Sequence, residues 1–372
     1  MNRTSTRRVA VPAVAALALG LSLSACGAGN ESSSSDQTNA AASSGATLSG
    51  TLNGAGSSAQ EAAQGAWTAG FQSANSGVTV NYDPSGSGAG VEQFLAGAVS
   101  FAGSDAYLDD TQLASSKKVC GGKTAIEAPS YISPIALVYK LDGVKNLQLS
   151  PATAAKIFDG TITTWDDPAI KAENKGASLP STTITPVHRS DDSGTTKNVT
   201  DYLHQTAPKD WPTQAGETWP FKSGEGANGT SGVIQAVTNG TGTIGYADAS
   251  QAGKLGVAAI KVGSSYVAPT ADAAAKAADV SKKVAGRGPT DMAMNVNRTT
   301  TQAGAYPLVL VSYVIACPTY KDAKTADLVK GYLSYVVSSD GQAAAGKAAG
   351  SAPLSGSLSS SASSAVKQIS VR

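Results

Sequence analysis

The chain has 372 residues, of which 41% are hydrophobic and 15% charged, which is enough for one or two packed cores. Its formal net charge is +1 and aromatic residues make up only 6%, so the composition argues against a nucleic-acid-binding protein. Short β-rich runs alternate with alanine-rich stretches of helical periodicity, which is typical of α/β layers around buried sheets.

The first 25 residues have the pattern of a secretion signal peptide. Arg3, Arg7 and Arg8 precede an apolar run over 9–23, which is short for a membrane-spanning helix. The run ends at Leu-Ser-Ala-Cys (23–26), which is similar to a bacterial lipobox, in which Cys26 is lipidated (with palmitate, for example) and becomes the first residue. The alternatives are a soluble secreted protein cut nearby and a short membrane anchor.

Residues 26–46 are therefore predicted to be a lipidated cysteine followed by a flexible tether rich in Ser, Ala, Gly and Asn. We expect an extracytoplasmic lipoprotein, held on the outer face of the bacterial cell membrane by its lipid anchor. The serine-rich tail from about Leu354 is similar to the tether, and is expected to be flexible or to lie across the surface.

Between these ends the sequence pattern predicts strands and helices in alternation. The predicted strands cover 78–82, 135–139, 183–187 and 309–315. The predicted helices cover 59–73, 90–97, 151–158, 194–204, 231–238 and 323–338.

Two cysteines remain once Cys26 is lipidated. Cys120 and Cys317 form an even pair in an oxidising compartment, which permits a disulfide. Two separate thiols are the alternative, because nothing in the sequence shows that the two residues are close together. The sequence contains no metal set with ligand spacing and no nucleophile elbow around a serine, so no metal, cofactor or catalytic residue is predicted.

The run Arg-Ser-Asp-Asp-Ser-Gly-Thr (189–195) has the chemistry of an oxyanion site. Arg189 offers a planar fork of N–H donors. Ser193 and Thr195 offer hydroxyl groups, and Gly194 lets the backbone approach closely at the start of a predicted helix, where free N–H groups favour negative charge. Asp191 is expected to pair with Arg189 and hold the guanidinium group still. The alternative is an ordinary helix cap beside a surface arginine.

Two Gly/Ser loops earlier in the chain also lead into predicted helices. They are Gly-Ala-Gly-Ser-Ser (54–58) and Ser-Gly-Ser-Gly-Ala-Gly (85–90). Each could direct backbone N–H groups and a hydroxyl at one anion, although a single such loop is more often a plain turn with a capping serine. Three such segments, one with an arginine, favour a shared anion site.

Several runs in this order resemble one family. They are Leu-Asn-Gly-Ala-Gly-Ser-Ser (52–58), Phe-Ala-Gly-Ser-Asp (101–105), Ile-Phe-Asp-Gly (157–160), Trp-Asp-Asp-Pro-Ala-Ile (165–170), the run at 189–195, and Gly-Thr-Ile-Gly-Tyr (242–246). The chain resembles the phosphate-binding lipoprotein of the bacterial high-affinity phosphate ABC transporter, a periplasmic-binding-protein-like receptor. The runs at 165–170 and 189–195 are specific to that family, whereas the Gly/Ser loops are not.

The resemblance implies a two-lobed α/β fold of the periplasmic-binding-protein-like type II, with the ligand in the cleft between the lobes. Lobe 1 would comprise 47–134 and 310–372, and lobe 2 would comprise 135–309. The implied function is capture of inorganic phosphate and its delivery to an ABC-type permease with its ATPase, without enzyme activity. The alternatives are a receptor for another protonated tetrahedral oxyanion, a non-transport phosphate sensor, and an extracellular phosphatase with Ser87 or Ser193 as nucleophile.

The family's ligand-binding residues carry over by motif. The phosphate donors would be the hydroxyls of Ser58, Ser87, Ser193 and Thr195, the N–H groups of Ala59 and Gly194, and the guanidinium group of Arg189. Ala59 stands where the family often has phenylalanine, so it keeps the N–H and loses an apolar wall.

The resemblance also makes Asp105 the residue that decides selectivity. A carboxylate only accepts hydrogen bonds, so it favours an oxyanion that still carries a proton. Phosphate carries one near neutral pH and sulfate does not, and this difference implies discrimination on the order of several kcal/mol. The alternative is that Asp105 caps a helix over 106–113.

Overall fold

The computed structural model describes residues 48–372. The predicted signal peptide, Cys26 and the tether lie outside the described residues. The strands are β1 (Ser49–Gly56), β2 (Gly77–Asp83), β3 (Phe101–Ser104), β4 (Ile126–Lys140), β5 (Gln148–Leu149), β6 (Thr185–Arg189), β7 (Glu225–Ala227), β8 (Thr243–Asp248), β9 (Gly256–Val262), β10 (Ser265–Val267), β11 (Lys282–Lys283), β12 (Met294–Asn295), β13 (Val309–Ala316), β14 (Thr319–Tyr320) and β15 (Ser370–Val371). The helices are α1 (Glu61–Ala74), α2 (Ser87–Leu95), α3 (Asp110–Val119), α4 (Pro151–Phe158), α5 (Pro168–Glu173), α6 (Gly194–Thr206), α7 (Gly229–Asn239), α8 (Ala271–Asp279), α9 (Ala323–Val336), α10 (Ser339–Ala349) and α11 (Gly356–Val366).

One large mixed sheet runs in the order β2-β1-β3-β13-β4-β8-β6-β7. β1 pairs in parallel with β2 and β3, and β6 pairs in parallel with β7 and β8. β13 and β4 lie between these two groups and run antiparallel to their neighbours. Since ligands of open α/β sheets bind outside the carboxyl ends of parallel strands, the loops after β1, β2, β3, β6 and β7 are the expected places for a site.

Two lobes result, because β4 and β13 pass from one hydrophobic core to another. On β4, Ile132 packs in a first core around Trp67, whereas Ile135 packs in a second core around Trp165. The predicted boundaries at 134/135 and 309/310 stay predictions. Helix α8 lies inside 135–309 in sequence and contributes Ala274, among other residues, to the first core.

Local capping explains where several helices begin. Ser193 caps α6 by accepting a hydrogen bond from Thr196 N at 3.2 Å. Asp109 and Gln112 form a reciprocal capping box at the start of α3. The alternative interpretation of Asp105 as a helix cap is therefore wrong, because the helix begins at Asp110.

Every strand and helix predicted from periodicity occurs, with ends that differ by a few residues. The main difference is β4, whose first half precedes the predicted run at 135–139. Of the two expectations for the tail, the flexible one is wrong, because α11 packs against the first core and buries Ala362, Ala365 and Val366 there. These three residues have helical spacing, which the surrounding serines obscured.

Cys120 and Cys317 form a disulfide bond, with their Cα atoms 5.0 Å apart. Cys120 follows α3 and Cys317 follows β13, so the bond joins distant parts of the chain within the first core. Across residues 48–372, no helix combines the length and the apolar character needed to span a membrane.

Candidate anion-binding site

The loops after β1, β2, β3, β6 and β7 meet between the two lobes. Ser58 Oγ lies 3.0 Å from Thr230 Oγ1, which links the loop after β1 to the start of α7. Gly88 N donates to Asp192 O at 3.2 Å, which links the start of α2 to the loop after β6. Gly86 N donates to Gly56 O at 2.8 Å, so 54–58, 85–90 and 189–195, the three segments singled out in the sequence, are in contact in one cleft.

Two glycines allow this close approach. Gly56 has a φ of +145°, and a Cβ there would lie 1.9 Å from the carbonyl oxygen of Gly103. A Cβ on Gly90 would lie 2.3 Å from Gly56 Cα. Any side chain at either position would push α2 or β3 away from β1, so the Gly-rich sequence is needed for packing at the site.

Arg189 ends β6, is 3% exposed, and is held by a neighbouring carboxylate. Its Nε donates to Asp191 Oδ1 at 2.7 Å, and its Nη2 contacts the other carboxylate oxygen. Asp191 is itself fixed by Gly229 N at 3.1 Å. Burial alone would raise the pKa of Asp191, but the hydrogen bonds and charge of Arg189 outweigh it and lower that pKa. The expected pair is thus present, and it fixes the guanidinium plane.

Asp105 follows β3 and is 2% exposed. Its Oδ2 accepts from the Thr195 hydroxyl at 2.9 Å, and its Oδ1 accepts from the Ser312 hydroxyl at 2.8 Å. Burial raises the pKa of the Asp105 carboxyl, and hydrogen bonds from Ser57, Ser312 and Thr195 limit that rise. The positive charge of Arg189 acts in the same direction as these hydroxyls. The carboxyl is therefore surrounded by donors that favour its ionised, accepting form.

In the loop after β1, the groups predicted to face an anion make hydrogen bonds to other groups of the protein. Ser58 Oγ accepts from Thr230 N at 3.0 Å, and the Ala59 N–H donates to Ser57 Oγ at 3.1 Å. Ser58 retains a hydroxyl hydrogen and further acceptor capacity, since a hydroxyl combines one donor with two lone pairs. The roles of Ser58 and Ala59 toward a ligand stay predictions.

The starts of α2 and α6 face each other beside Asp105. Ser87 Oγ accepts from Asp105 N at 3.1 Å. A Cβ on Gly194 would lie 2.7 Å from Ser87 Oγ and 3.0 Å from Asp105 Cβ. Since the first N–H groups of a helix have no partner within it, the N–H of Gly194 is available at this junction. Ser87, Asp105, Gly194 and Thr195 therefore share one small volume.

Sequence reasoning missed Ser57, Ser312, Thr230 and Asn198. Ser312 lies within a buried β-rich run and has no local signal of a polar role. Asn198 Nδ2 donates to the carbonyl oxygen of Asp105, a partner 93 residues away. Thr230 could have been found, because Asn-Gly-Thr (228–230) at the start of α7 is another short Gly/Thr helix start like that at 193–195.

A cavity of about 380 Å³ borders Asp105 on the side of α6. Tyr107, Asn198 and Arg298 contribute to its lining, whereas Arg189, Ser58 and Ser87 do not. Within residues 48–372, no group of three or more His, Cys, Asp or Glu side chains is placed to hold a metal ion.

A two-lobed α/β fold with polar groups converging in the cleft is typical of solute-binding proteins. A sequence model described as a PBP superfamily domain matches residues 41–340. The chain is 38% identical over 323 residues to phosphate-binding protein PstS 2 of Mycobacterium tuberculosis, which covers 84% of this chain and 86% of that relative. It is 36% identical over 296 residues to PstS 3 of Mycobacterium leprae, covering 77% and 79% of the two chains.

The fold also matches that of a phosphate-binding protein from Stenotrophomonas maltophilia, solved by X-ray crystallography. The TM-score is 0.65 at 20% identity, and the match covers 85% of this chain and 94% of that chain. The protein therefore belongs to the PBP superfamily and, within it, to the family of PstS phosphate-binding proteins. The resemblance drawn from the motifs and the expected two-lobed fold are both confirmed.

Proposed function

We propose that this protein is an extracytoplasmic receptor that binds inorganic phosphate selectively in the cleft and delivers it to an ABC-type permease driven by its ATPase. One observation carries the proposal: a buried arginine held rigid by Asp191 lies in the same cleft as a buried carboxylate, Asp105. Arg189 is close enough for its charge to act on the pKa of Asp105. A cation together with a hydrogen-bond acceptor suits an anion that carries a proton.

The proposed ligand groups come from both lobes. The donors are the hydroxyls of Ser58, Ser87, Ser193 and Thr195, the N–H groups of Ala59 and Gly194, and the Arg189 guanidinium group. The Thr195 hydroxyl donates to Asp105 Oδ2 and the Ala59 N–H donates to Ser57 Oγ in this structure, and both would exchange these partners for the ligand on binding. One guanidinium group and two carboxylates, Asp105 and Asp191, leave the site with a net negative charge. Neutral donors and the N-termini of α2 and α6 must therefore supply much of the stabilisation of the anion.

Selectivity would follow from Asp105. The P–OH group of a protonated phosphate donates to the carboxylate, whereas fully ionised sulfate offers it only lone pairs. Asp105 is 2% exposed, so water screens the repulsion between its carboxylate and sulfate only weakly, and sulfate is rejected. Arsenate also keeps a proton near neutral pH, so the site should accept it.

The hydroxyls of Ser87 and Ser193 are the nucleophiles of the alternative phosphatase function, and their contacts favour binding without hydrolysis. Ser87 Oγ accepts from Asp105 N, and Ser193 Oγ accepts from Thr196 N. Among residues 48–372, no histidine or carboxylate side chain hydrogen-bonds to either hydroxyl, whereas an activated nucleophile needs such a base.

Calorimetric titration of the secreted protein with phosphate, arsenate and sulfate at pH 7 tests the proposal. We expect tight binding of phosphate and arsenate and no measurable binding of sulfate. Equal affinity for sulfate, or no binding of phosphate, would refute the assignment. A phosphatase would release phosphate from a chromogenic ester, which this protein should not do.

The proposed lipid anchor has a separate test. Intact-mass analysis of the membrane-extracted protein should show loss of residues 1–25 and an acylated Cys26. A Cys26→Ser variant should be released into the medium with phosphate binding intact. An unmodified N-terminus elsewhere would contradict the anchor and leave the phosphate assignment untouched.

A further inference from the structure

Arg298 holds the backbone where the chain crosses between the two cores. It is 2% exposed, and its Nη1 donates to Pro307 O at 2.8 Å and to Val309 O at 2.9 Å. Leu308 packs in the second core and Val309 packs in the first. Leu310 packs in the second core again, so the chain alternates between the two cores over 308–310, and one guanidinium nitrogen is bonded within this crossing segment.

The remaining nitrogens of Arg298 contact helix α6. Nε donates to Asp201 Oδ2 at 2.9 Å, and Nη2 donates to Asn198 Oδ1. The Asp201 carboxylate balances the buried charge, which would otherwise be costly. The planar fork of arginine makes all these contacts at once, which the single ammonium group of lysine cannot do.

Asn198 continues this connection into the cleft. It is 8% exposed, and its Nδ2 donates to Asp105 O at 2.7 Å and to Gly194 O at 2.8 Å. Asp105 follows β3 in the first lobe, whereas Gly194 begins α6 in the second. One side-chain amide therefore holds the backbone of both proposed ligand segments, and Arg298 fixes that amide.

We propose that Arg298 and Asn198 form a positioning unit that ties both halves of the ligand site to the crossing strand. The effect of this unit on the ligand rests on the proposed phosphate function. Neither residue is among the proposed ligand groups. The unit sets the spacing between Asp105 and the start of α6, and separation of the lobes requires its hydrogen bonds to break. Its consequence is slow release of phosphate.

Asn174 provides a matched control for Asn198. It is 9% exposed, and its Nδ2 donates to Gln148 O at 2.8 Å and Ile170 O at 2.9 Å, while its Oδ1 accepts from Gln148 N at 2.8 Å. The same substitution, Asn→Leu, removes two hydrogen bonds donated to backbone carbonyls and one accepted hydrogen bond at each position, the latter from the Arg298 guanidinium group at Asn198 and from a backbone N–H at Asn174. Asn174 lies beside α5 and β5, away from the ligand segments.

The test is stopped-flow measurement of phosphate association and dissociation in wild type, Asn198→Leu, Asn174→Leu and Arg298→Lys. We expect Asn198→Leu and Arg298→Lys to release phosphate about tenfold faster or more, the change in rate corresponding to one or two lost hydrogen bonds. Asn174→Leu should lower the melting temperature and leave the dissociation rate at the wild-type value. Arg298→Lys keeps the positive charge, and its phosphate dissociation rate tests the positioning unit by itself if Asn198→Leu does not fold.

Equal dissociation rates in the Asn198→Leu and Asn174→Leu variants would overturn the positioning unit. The phosphate function would still stand in that case, provided that wild type binds phosphate. If wild type binds no phosphate, amide hydrogen exchange of the ligand-free protein still tests the positioning unit. Faster exchange at 105–106 and 194–197 in Asn198→Leu alone would support the positioning unit independently of any ligand. Unchanged exchange at those amides would refute it.

Discussion

Two buried carboxyl groups, one directly after β3 and one on β4, both have a pKa raised by burial, but they differ in their hydrogen-bond partners. Asp105 follows β3 and accepts hydrogen bonds from hydroxyls on both lobes, Thr195 and Ser312. Glu127 lies on β4, and its Oε1 accepts from Leu108 N at 2.6 Å. Among residues 48–372, Glu127 Oε2 has no hydrogen-bond partner.

The charges around the two groups differ as well. Burial raises the pKa of Glu127 to about 8, and the neighbouring Asp291 carboxyl adds to the rise, although Arg287 Nη1 lies 3.7 Å away. Burial also raises the pKa of Asp105, but hydroxyl donors and Arg189 oppose it. Burial of a carboxyl therefore does not define an anion site. The site at Asp105 depends on donors that converge from both lobes.

The largest expected effect is loss of phosphate binding in Arg189→Ala. Arg189 is the full positive charge among the proposed ligand groups, and truncating a buried charged partner costs roughly 2–5 kcal/mol of binding free energy. Arg287→Ala is the control, because it removes the arginine beside Glu127 and should lower stability with little change in phosphate affinity. Calorimetry on both folded variants measures this, and near-wild-type affinity in Arg189→Ala would exclude Arg189 from the site.

The second prediction concerns the ratio of phosphate to sulfate affinity. Asp105→Asn keeps the size of the side chain, removes its charge and adds an N–H donor, so sulfate should begin to bind. We expect the ratio to fall by at least about tenfold, or about 1.4 kcal/mol. Glu127→Gln neutralises the other buried carboxyl and should leave the ratio unchanged. An unaltered ratio in Asp105→Asn would show that Asp105 does not face the ligand.

Local signals explain which parts of the site could be predicted from the sequence. Arg189, Asp191 and the capped start of α6 lie within one short run, so their contacts follow from residues a few positions apart. The family resemblance of the run at 101–105 predicts Asp105 as a ligand residue. Its partner Ser312 is 207 residues away in sequence, and no local pattern joins the two.

The same distinction applies to the fold. Helix α4 begins where Ser150 and Pro151 supply a cap and a first-turn proline, so its bounds were predictable. Strand β3 has four residues, all buried, and shows no alternation that could distinguish it from a loop. The contacts of Glu127 depend on Arg287 and Asp291, which pack against β4 from far along the chain. Such contacts are set by tertiary packing and leave no signal in the nearby sequence.

A third prediction is a pH dependence of stability that originates at Glu127. Its pKa is raised from 4.5 to about 8 in the folded state, so the folded protein binds this proton more tightly than the unfolded chain. Stability from this group is present at low pH and is lost as pH rises from about 4.5 through 8, by at most about 1.4 kcal/mol per pH unit.

Glu127→Gln should flatten this loss, because the amide cannot ionise. Urea unfolding at pH 5, 6, 7 and 8 measures the slope in each protein. The exposed Glu92→Gln variant is the control and should retain the wild-type slope. If Glu127→Gln keeps the full slope, the pH dependence of stability originates at another group. The raised pKa would then not distinguish Glu127 from Asp105.

The smallest expected effect tests whether contacts across the cleft matter more than contacts within a lobe. Thr230→Val removes a hydroxyl that meets Ser58 across the cleft and keeps the backbone N–H that also bonds to Ser58. Phosphate affinity should fall by about 0.5–1.5 kcal/mol, the net contribution of one hydrogen bond, because the variant loses a contact that joins the two sides of the cleft beside the ligand groups. Thr238→Val on the same helix removes a hydroxyl that bonds only to Ile234 O within α7, and it should leave affinity unchanged. Tighter binding in Thr230→Val would reverse the argument: Thr230 would then compete with phosphate for the Ser58 hydroxyl.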